Sequence, residues 1–268
     1  MKLSYVSCEL RKPAPLDQDW WVTESYPLDH VLLKMSELGL KDVELSGPHI
    51  KPRMSTREIG RVKESLKTHN IRIACVDSEA FLWTIKNSDL KEALMFIDVA
   101  HKLEADLVKI FSGPAKAAKR TRAMALLGKC AKYAEKSGVT IGVENIWYHH
   151  FGKVEAMKEG VEEIGSEALT ALIDFSNFYV GGEDSIEAAK LFGGKLVHAH
   201  VKDVVTSAGR EDWKVLGRGD LSRLGLFPKI IDELKRADYG ACLSLEPHVA
   251  PSLDALEESI AYIRPLIG

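Results

Sequence analysis

The sequence predicts an α/β protein folded as one closed (β/α)8 barrel, a TIM barrel that takes residues 1–268 as a single domain. Three observations predict it. Short apolar runs alternate with amphipathic stretches from one end of the chain to the other, and eight such pairs can be counted. The length, 268 residues, matches what such a barrel typically needs, about 250 residues. Alternation of this kind implies a parallel sheet, because parallel neighbours require a crossover helix. An open doubly wound sheet shares the pattern, but no Gly-rich phosphate loop follows the first strand, and eight pairs in this length suit closure.

The strands are expected at LSYVSC (3–8), DVELS (42–46), IRIACVDS (71–78), DLVKIFS (106–112), VTIGVEN (139–145), TALIDFS (170–176), KLVHAHVKD (195–203) and ACLSLE (241–246). Each is a short apolar run of strand length. Between them, stretches such as LDHVLLKMSELG, STREIGRVKESLKTH, DLKEALMFIDVAHKL and FPKIIDELKRA repeat apolar residues at i, i+3, i+4 and i+7, the helical period. Ser55 stands where a helix N-cap belongs and Gly39 where a helix stops. No low-complexity or Pro/Gly/Ser-rich linker divides the chain.

Composition narrows the function classes. With 46% hydrophobic and 28% charged residues the chain can build one sizeable core. Its net charge of −3, with Lys and Arg spread evenly, argues against nucleic acid as a partner. No run approaches the roughly 18 apolar residues of a membrane span, and the N-terminus lacks the apolar core of a signal peptide. Four cysteines without CxxC spacing, Cys8, Cys75, Cys130 and Cys242, read as reduced thiols, which suits a cytoplasmic protein.

In a barrel of this kind the active site lies at the C-terminal ends of the strands. The residues expected there are Glu44, Glu79, Lys109, Glu144, Asp174, His200 and Glu246. Four consecutive strands each deliver a metal-ligand type: Glu144, Asp174, His200 and Glu246. Three converging carboxylates would repel one another and hold protons unless a cation neutralised them, so one divalent metal ion is expected among these four. The stretch LVHAHVKD carries His198, His200 and Lys202 on one face, since residues two apart on a strand share a side. His200 reads as the ligand, Lys202 as a group near the mouth, and His198, one layer deeper, as a structural histidine.

The motifs GVEN, LIDFSN, HVKD, LGRGDL and LSLE, in this order, resemble those of the xylose isomerase-like (β/α)8 superfamily. That superfamily includes sugar isomerases and epimerases, inosose dehydratases and endonuclease IV. The resemblance spans essentially the whole chain and implies metal ligation by Glu144, Asp174, His200 and Glu246. It also implies that LGRGDL (216–221) shapes the loop after the seventh strand without supplying a ligand. One position departs from the pattern: a histidine common in the family three residues after the Asp is Asn177 here, and an amide cannot act as acid, base or ordinary zinc ligand.

An oxygen-rich site of this kind suits Mn²⁺, Mg²⁺, Co²⁺ or Fe²⁺ at least as well as Zn²⁺. The resemblance implies that Glu144 and Glu246 flank a substrate carbon and exchange a proton there, through an enediolate. The expected activity is isomerisation or epimerisation of a small sugar-like ketone or aldehyde. Asn177, Lys202, Trp147 and Arg210 are the expected substrate contacts. The aromatic stretches WYHHF (147–151) and DWW (19–21), together with Trp83, are candidates for a sugar-binding wall. The expected partners are a small-molecule sugar and a second copy of the chain in a homo-oligomer. Three alternatives stand beside this reading: an inosose dehydratase-like lyase with the same metal, a nuclease like endonuclease IV, and a barrel that keeps the metal as a sugar-binding or regulatory subunit. The nuclease is disfavoured by the net charge and by Asn177, and the binder by a ligand set that includes two glutamates placed as bases.

Overall fold

The computed structural model describes residues 1–12, 23–115, 120–207, 209–249 and 252–268. Eight parallel strands close into a barrel: β1 (Lys2–Val6), β2 (Asp42–Leu45), β3 (Arg72–Asp77), β4 (Leu107–Phe111), β5 (Thr140–Glu144), β6 (Leu169–Asp174), β7 (His198–Val201) and β10 (Cys242–Leu245). Each pairs with its neighbour in sequence, and β10 closes the ring on β1, with Ser244 opposite Ser4. All eight expected strands are present, each shorter than its apolar run by one to five residues.

The helices form where apolar residues recur on one face. In α9 (Leu226–Arg236) the buried residues are Phe227, Ile230, Ile231 and Leu234, one stripe at helical spacing against the barrel. Ser55 does cap α2 (Thr56–His69): its hydroxyl accepts from the Glu58 N–H, and the Glu58 carboxylate accepts from the Ser55 N–H at 2.8 Å. Such a reciprocal pair satisfies two otherwise orphaned donors. Gly39, at φ +75°, turns the chain after α1 (Leu28–Glu37), a left-handed position that glycine occupies without strain. The core is almost wholly aliphatic and aromatic and lies between strands and helices, with Tyr5, Phe151, Phe175, Phe178 and Phe227 fully buried.

Two differences from the expected elements concern the site. The run 195–203 is not one strand. β7 covers only its middle, and at Asp203 the chain leaves the barrel into an antiparallel hairpin, β8 (Asp203–Ser207) with β9 (Arg210–Lys214). β3 ends at Asp77, so Asp77 rather than Glu79 is its terminal carboxylate. The four cysteines are free thiols. No helix among the described residues is long and apolar enough to cross a membrane.

Candidate metal centre and active site

The strand ends converge because the ladders place them at neighbouring levels. Asp174 pairs with His200, and Glu144 pairs with Phe111 on one side and Leu172 on the other. Glu246 directly follows β10, and its N–H donates to the Val201 carbonyl at 3.3 Å, which extends that ladder. Ligand atoms of Glu144, Asp174, His200 and Glu246 all lie within 4.8 Å of one another, and all four residues are buried. The four residues expected to meet do meet.

Local hydrogen bonds hold each one in place. The Asn145 side chain spans to β6: its Oδ1 accepts from the Asp174 N–H at 2.8 Å, and its Nδ2 donates to the Asp174 carbonyl at 2.9 Å. Asp174 then caps the short helix α6 (Phe175–Val180), with Oδ1 accepting from the Asn177 N–H at 2.8 Å. Asn177 Nδ2 donates to the Asn145 carbonyl at 2.9 Å and faces Glu144 Oε1 at 3.4 Å. The amide that stands where the family has a histidine therefore braces Glu144. Below the mouth, Asp203 ties down LGRGDL, its carboxylate accepting from the N–H groups of Gly219 at 2.8 Å and Leu221 at 3.1 Å. A Cβ at Gly219 would sit 2.2 Å from that carboxylate, so only glycine allows the approach.

Two lysines stand between the acids. Lys109 Nζ lies 2.8 Å from both Asp77 and Glu144, and Lys202 Nζ lies 2.8 Å from Asp174 and 2.7 Å from Glu246. Burial alone would raise the Glu144 carboxyl, but Lys109 and His200 beside it hold it at about 2. Glu246 is likewise held below the usual range, by Lys202, His248 and His200 against its burial. Burial wins at Asp77, whose carboxyl is pushed up to about 7 despite Lys109.

The lysines change the argument for a metal. They already offset part of the charge repulsion, so repulsion alone no longer calls for a bound ion. A second observation does. His200 Nδ1 is buried, faces Glu144 Oε1 at 3.3 Å and Glu246 Oε2 at 3.4 Å, and makes no hydrogen bond. Once it gives up its proton, a buried imidazole nitrogen aimed among carboxylate oxygens has the donor chemistry that a divalent ion requires. The residues fit such an ion.

Above this floor opens a cavity of about 480 Å³. Trp147, Asn177 and Lys202 line it, as expected of substrate contacts, and so does Trp83, which is 68% exposed. Arg210 does not. It is exposed at the tip of the hairpin, opposite Ser207, away from the residues that line the cavity. The stretch DWW (19–21) lies outside the described residues.

Sequence reasoning placed one residue at the wrong depth and missed others. Glu44 was expected at the strand ends, but its carboxylate lies deeper, between His198 and His200. Trp213, on β9, lies under Lys202, with Nζ 4.8 Å from the ring centre. Glu9, nearly fully buried, accepts from the His248 N–H at 2.8 Å and faces its Nδ1 at 3.0 Å. His248 Nε2 faces Lys202 Nζ at 3.2 Å. Asp77 and His248 each stand two residues from an expected site residue, Glu79 and Glu246, so the same strand-end logic could have found them.

The chain matches a family model described as xylose isomerase-like TIM barrel over residues 32–266. It belongs to that family. Comparison with curated proteins finds no match. Among solved structures, the barrel superposes on D-psicose 3-epimerase with D-tagatose from Clostridium cellulolyticum H10 with a TM-score of 0.78. That match has 15% identity and covers 100% of this chain and 99% of that one. The probable 3-DHS dehydratase AsbF from Bacillus anthracis gives a TM-score of 0.78 at 14% identity, covering 98% and 99%. The IOLI protein with a bound zinc atom gives 0.76 at 17% identity, covering 100% and 98%. At such identities the likeness is one of fold.

Proposed function

We propose that this family member is a divalent-metal-dependent isomerase or epimerase of a small polyhydroxylated ketone or aldehyde, working in the cytoplasm. One observation carries the reading: Glu144 and Glu246 approach His200 Nδ1 to 3.3 and 3.4 Å from two different strands. Two carboxylates brought in by different strands thus meet beside one nitrogen at the cavity floor. Glu144, Asp174, His200 and Glu246 would hold the ion (Mn, Mg, Co, Fe or Zn), which would polarise a substrate carbonyl as a Lewis acid.

The chain's own residues do the rest. Glu144 and Glu246, both held in the ionised form, are bases for the proton on the carbon beside the carbonyl. Removal by one and return by the other, from the opposite face, inverts that carbon. Return at the neighbouring carbon interconverts aldose and ketose. Lys109 and Lys202 keep the bases charged and give N–H donors to substrate oxygens. Trp147 and Trp83 offer apolar walls to a sugar ring.

The test is incubation of the protein, Mn²⁺ and a panel of ketoses in D₂O. Deuterium entering beside the carbonyl supports the reading. No exchange with any sugar, but water loss from an inosose, would move the assignment to a dehydratase.

A further inference from the structure

The paired histidines of HAHV have an explanation in Glu44. This glutamate, on β2, sits in the barrel interior and is fully buried. Its Oε2 lies 2.8 Å from His198 Nε2 and 3.0 Å from His200 Nε2, and its Oε1 lies 3.1 Å from His200 Nε2. The two rings come from the same face of β7 and meet edge to face, 5.7 Å between centres. An ionised carboxylate only accepts, so each imidazole carries its proton on Nε2 and donates it to Glu44. For His200 that leaves Nδ1 as the nitrogen turned toward Glu144 and Glu246.

We infer that Glu44 is a positioning residue for the metal centre: by accepting the Nε2–H of His200 it fixes that ring's orientation and presents Nδ1 to the ion, while His198 steadies Glu44 from the layer below. Residues 198 and 200 are then a support and a ligand, joined through a carboxylate from a distant strand. A histidine ligand whose far nitrogen donates to a carboxylate is a recurrent arrangement around protein-bound metals, and loss of such a partner typically weakens metal binding about 10- to 100-fold. The inference rests on the metal reading above.

Glu44→Gln is the informative substitution. Glu44 Oε1 and Oε2 lie 3.1 and 3.0 Å from His200 Nε2, so either orientation of the new amide turns its NH₂ toward that nitrogen. Two donors would then face each other. The ring must turn away from that NH₂ and rest on the uncharged amide oxygen alone, a weaker acceptor than the carboxylate, or shift its proton to Nδ1 and lose the ligand atom. Mn²⁺ binding to metal-free protein, followed by the EPR signal of free Mn²⁺, is expected to weaken about 10- to 100-fold in E44Q. Glu44→Ala leaves space for water and should bind no more weakly than E44Q. A residue that only filled space would give the reverse order, with the near-isosteric Gln close to wild type and Ala worse.

E44Q affinity within about twofold of wild type, or tenfold tighter than E44A, would overturn the inference while leaving the metal site standing. Wild-type protein that binds no Mn²⁺, Co²⁺ or Zn²⁺ would overturn the metal reading and this inference with it. Should E44Q not fold, Glu44→Asp and Glu44→Ala carry the test. Asp keeps an acceptor and should bind more tightly than Ala, and equal affinities would contradict the role.

Discussion

Three strands, β3, β4 and β6, build the two ends of the barrel interior from opposite materials. At the N-terminal end Cys75, Leu107 and Leu172 pack into a small buried apolar cluster with Val197 against it. Two residues further along the same three strands stand Asp77, Lys109 and Asp174, and there the interior is charged. One step of strand period separates a plug that stabilises the fold from a layer that costs stability. Buried ion pairs repay their desolvation only when geometry and hydrogen bonding are nearly complete, and apolar replacements are often as stable. A charged layer retained at this level is therefore placed for chemistry, whereas the apolar cluster beneath it on these three strands is placed for packing.

The contrast is sharpest under substitution at the charged end. Glu144→Gln and Glu246→Gln should each remove proton exchange, a loss on the order of 10²- to 10⁴-fold, while the barrel stays folded. Proton NMR of a ketose in D₂O measures the first part, and circular dichroism the second. Exchange surviving in both variants would move the base elsewhere.

At the apolar end the expectation inverts. Leu172→Ala should lower stability by about 2–5 kcal/mol, the range for truncating a buried leucine. Urea denaturation reads that cost, and Mn²⁺ affinity of the folded protein should change little. A variant of normal stability but impaired metal binding would blur the division between the two layers.

The smallest effect is predicted outside both. Arg210 is exposed on the hairpin and does not line the cavity, so Arg210→Ala should stay within about 0.5 kcal/mol of wild type and leave exchange unchanged. A marked rise in KM for that variant would return Arg210 to the substrate contacts.

Most of the fold was legible because strand–helix alternation is a local property. Helix starts such as Ser55 are marked by their own capping residues, and the convergence of Glu144, Asp174, His200 and Glu246 follows from position along a strand. The hairpin was not legible. The run KLVHAHVKD reads as one strand, yet Asp203 already belongs to β8, its carboxylate turned to the Gly219 N–H. The meeting of Glu44 with His198 and His200 depends on how strands 154 and 156 residues apart are staggered. No local pattern carries that stagger. His198 reads as structural from sequence, and only the pairing through Glu44 connects it to the site. Asp77 and Glu79 are only two residues apart, and no local pattern marks β3 as ending between them.

The central claim is that the charged layer is a divalent-metal site. The direct measurement is the metal content of purified wild type and His200→Ala, with thermal melts before and after adding Mn²⁺, Co²⁺ or Zn²⁺. The account predicts one bound ion per wild-type chain and a raised melting temperature, since ligand at about 100 times its Kd adds about 2.7 kcal/mol of stability. It predicts neither in His200→Ala. Wild-type protein that carries no metal and shows no shift with any of the three ions would contradict it.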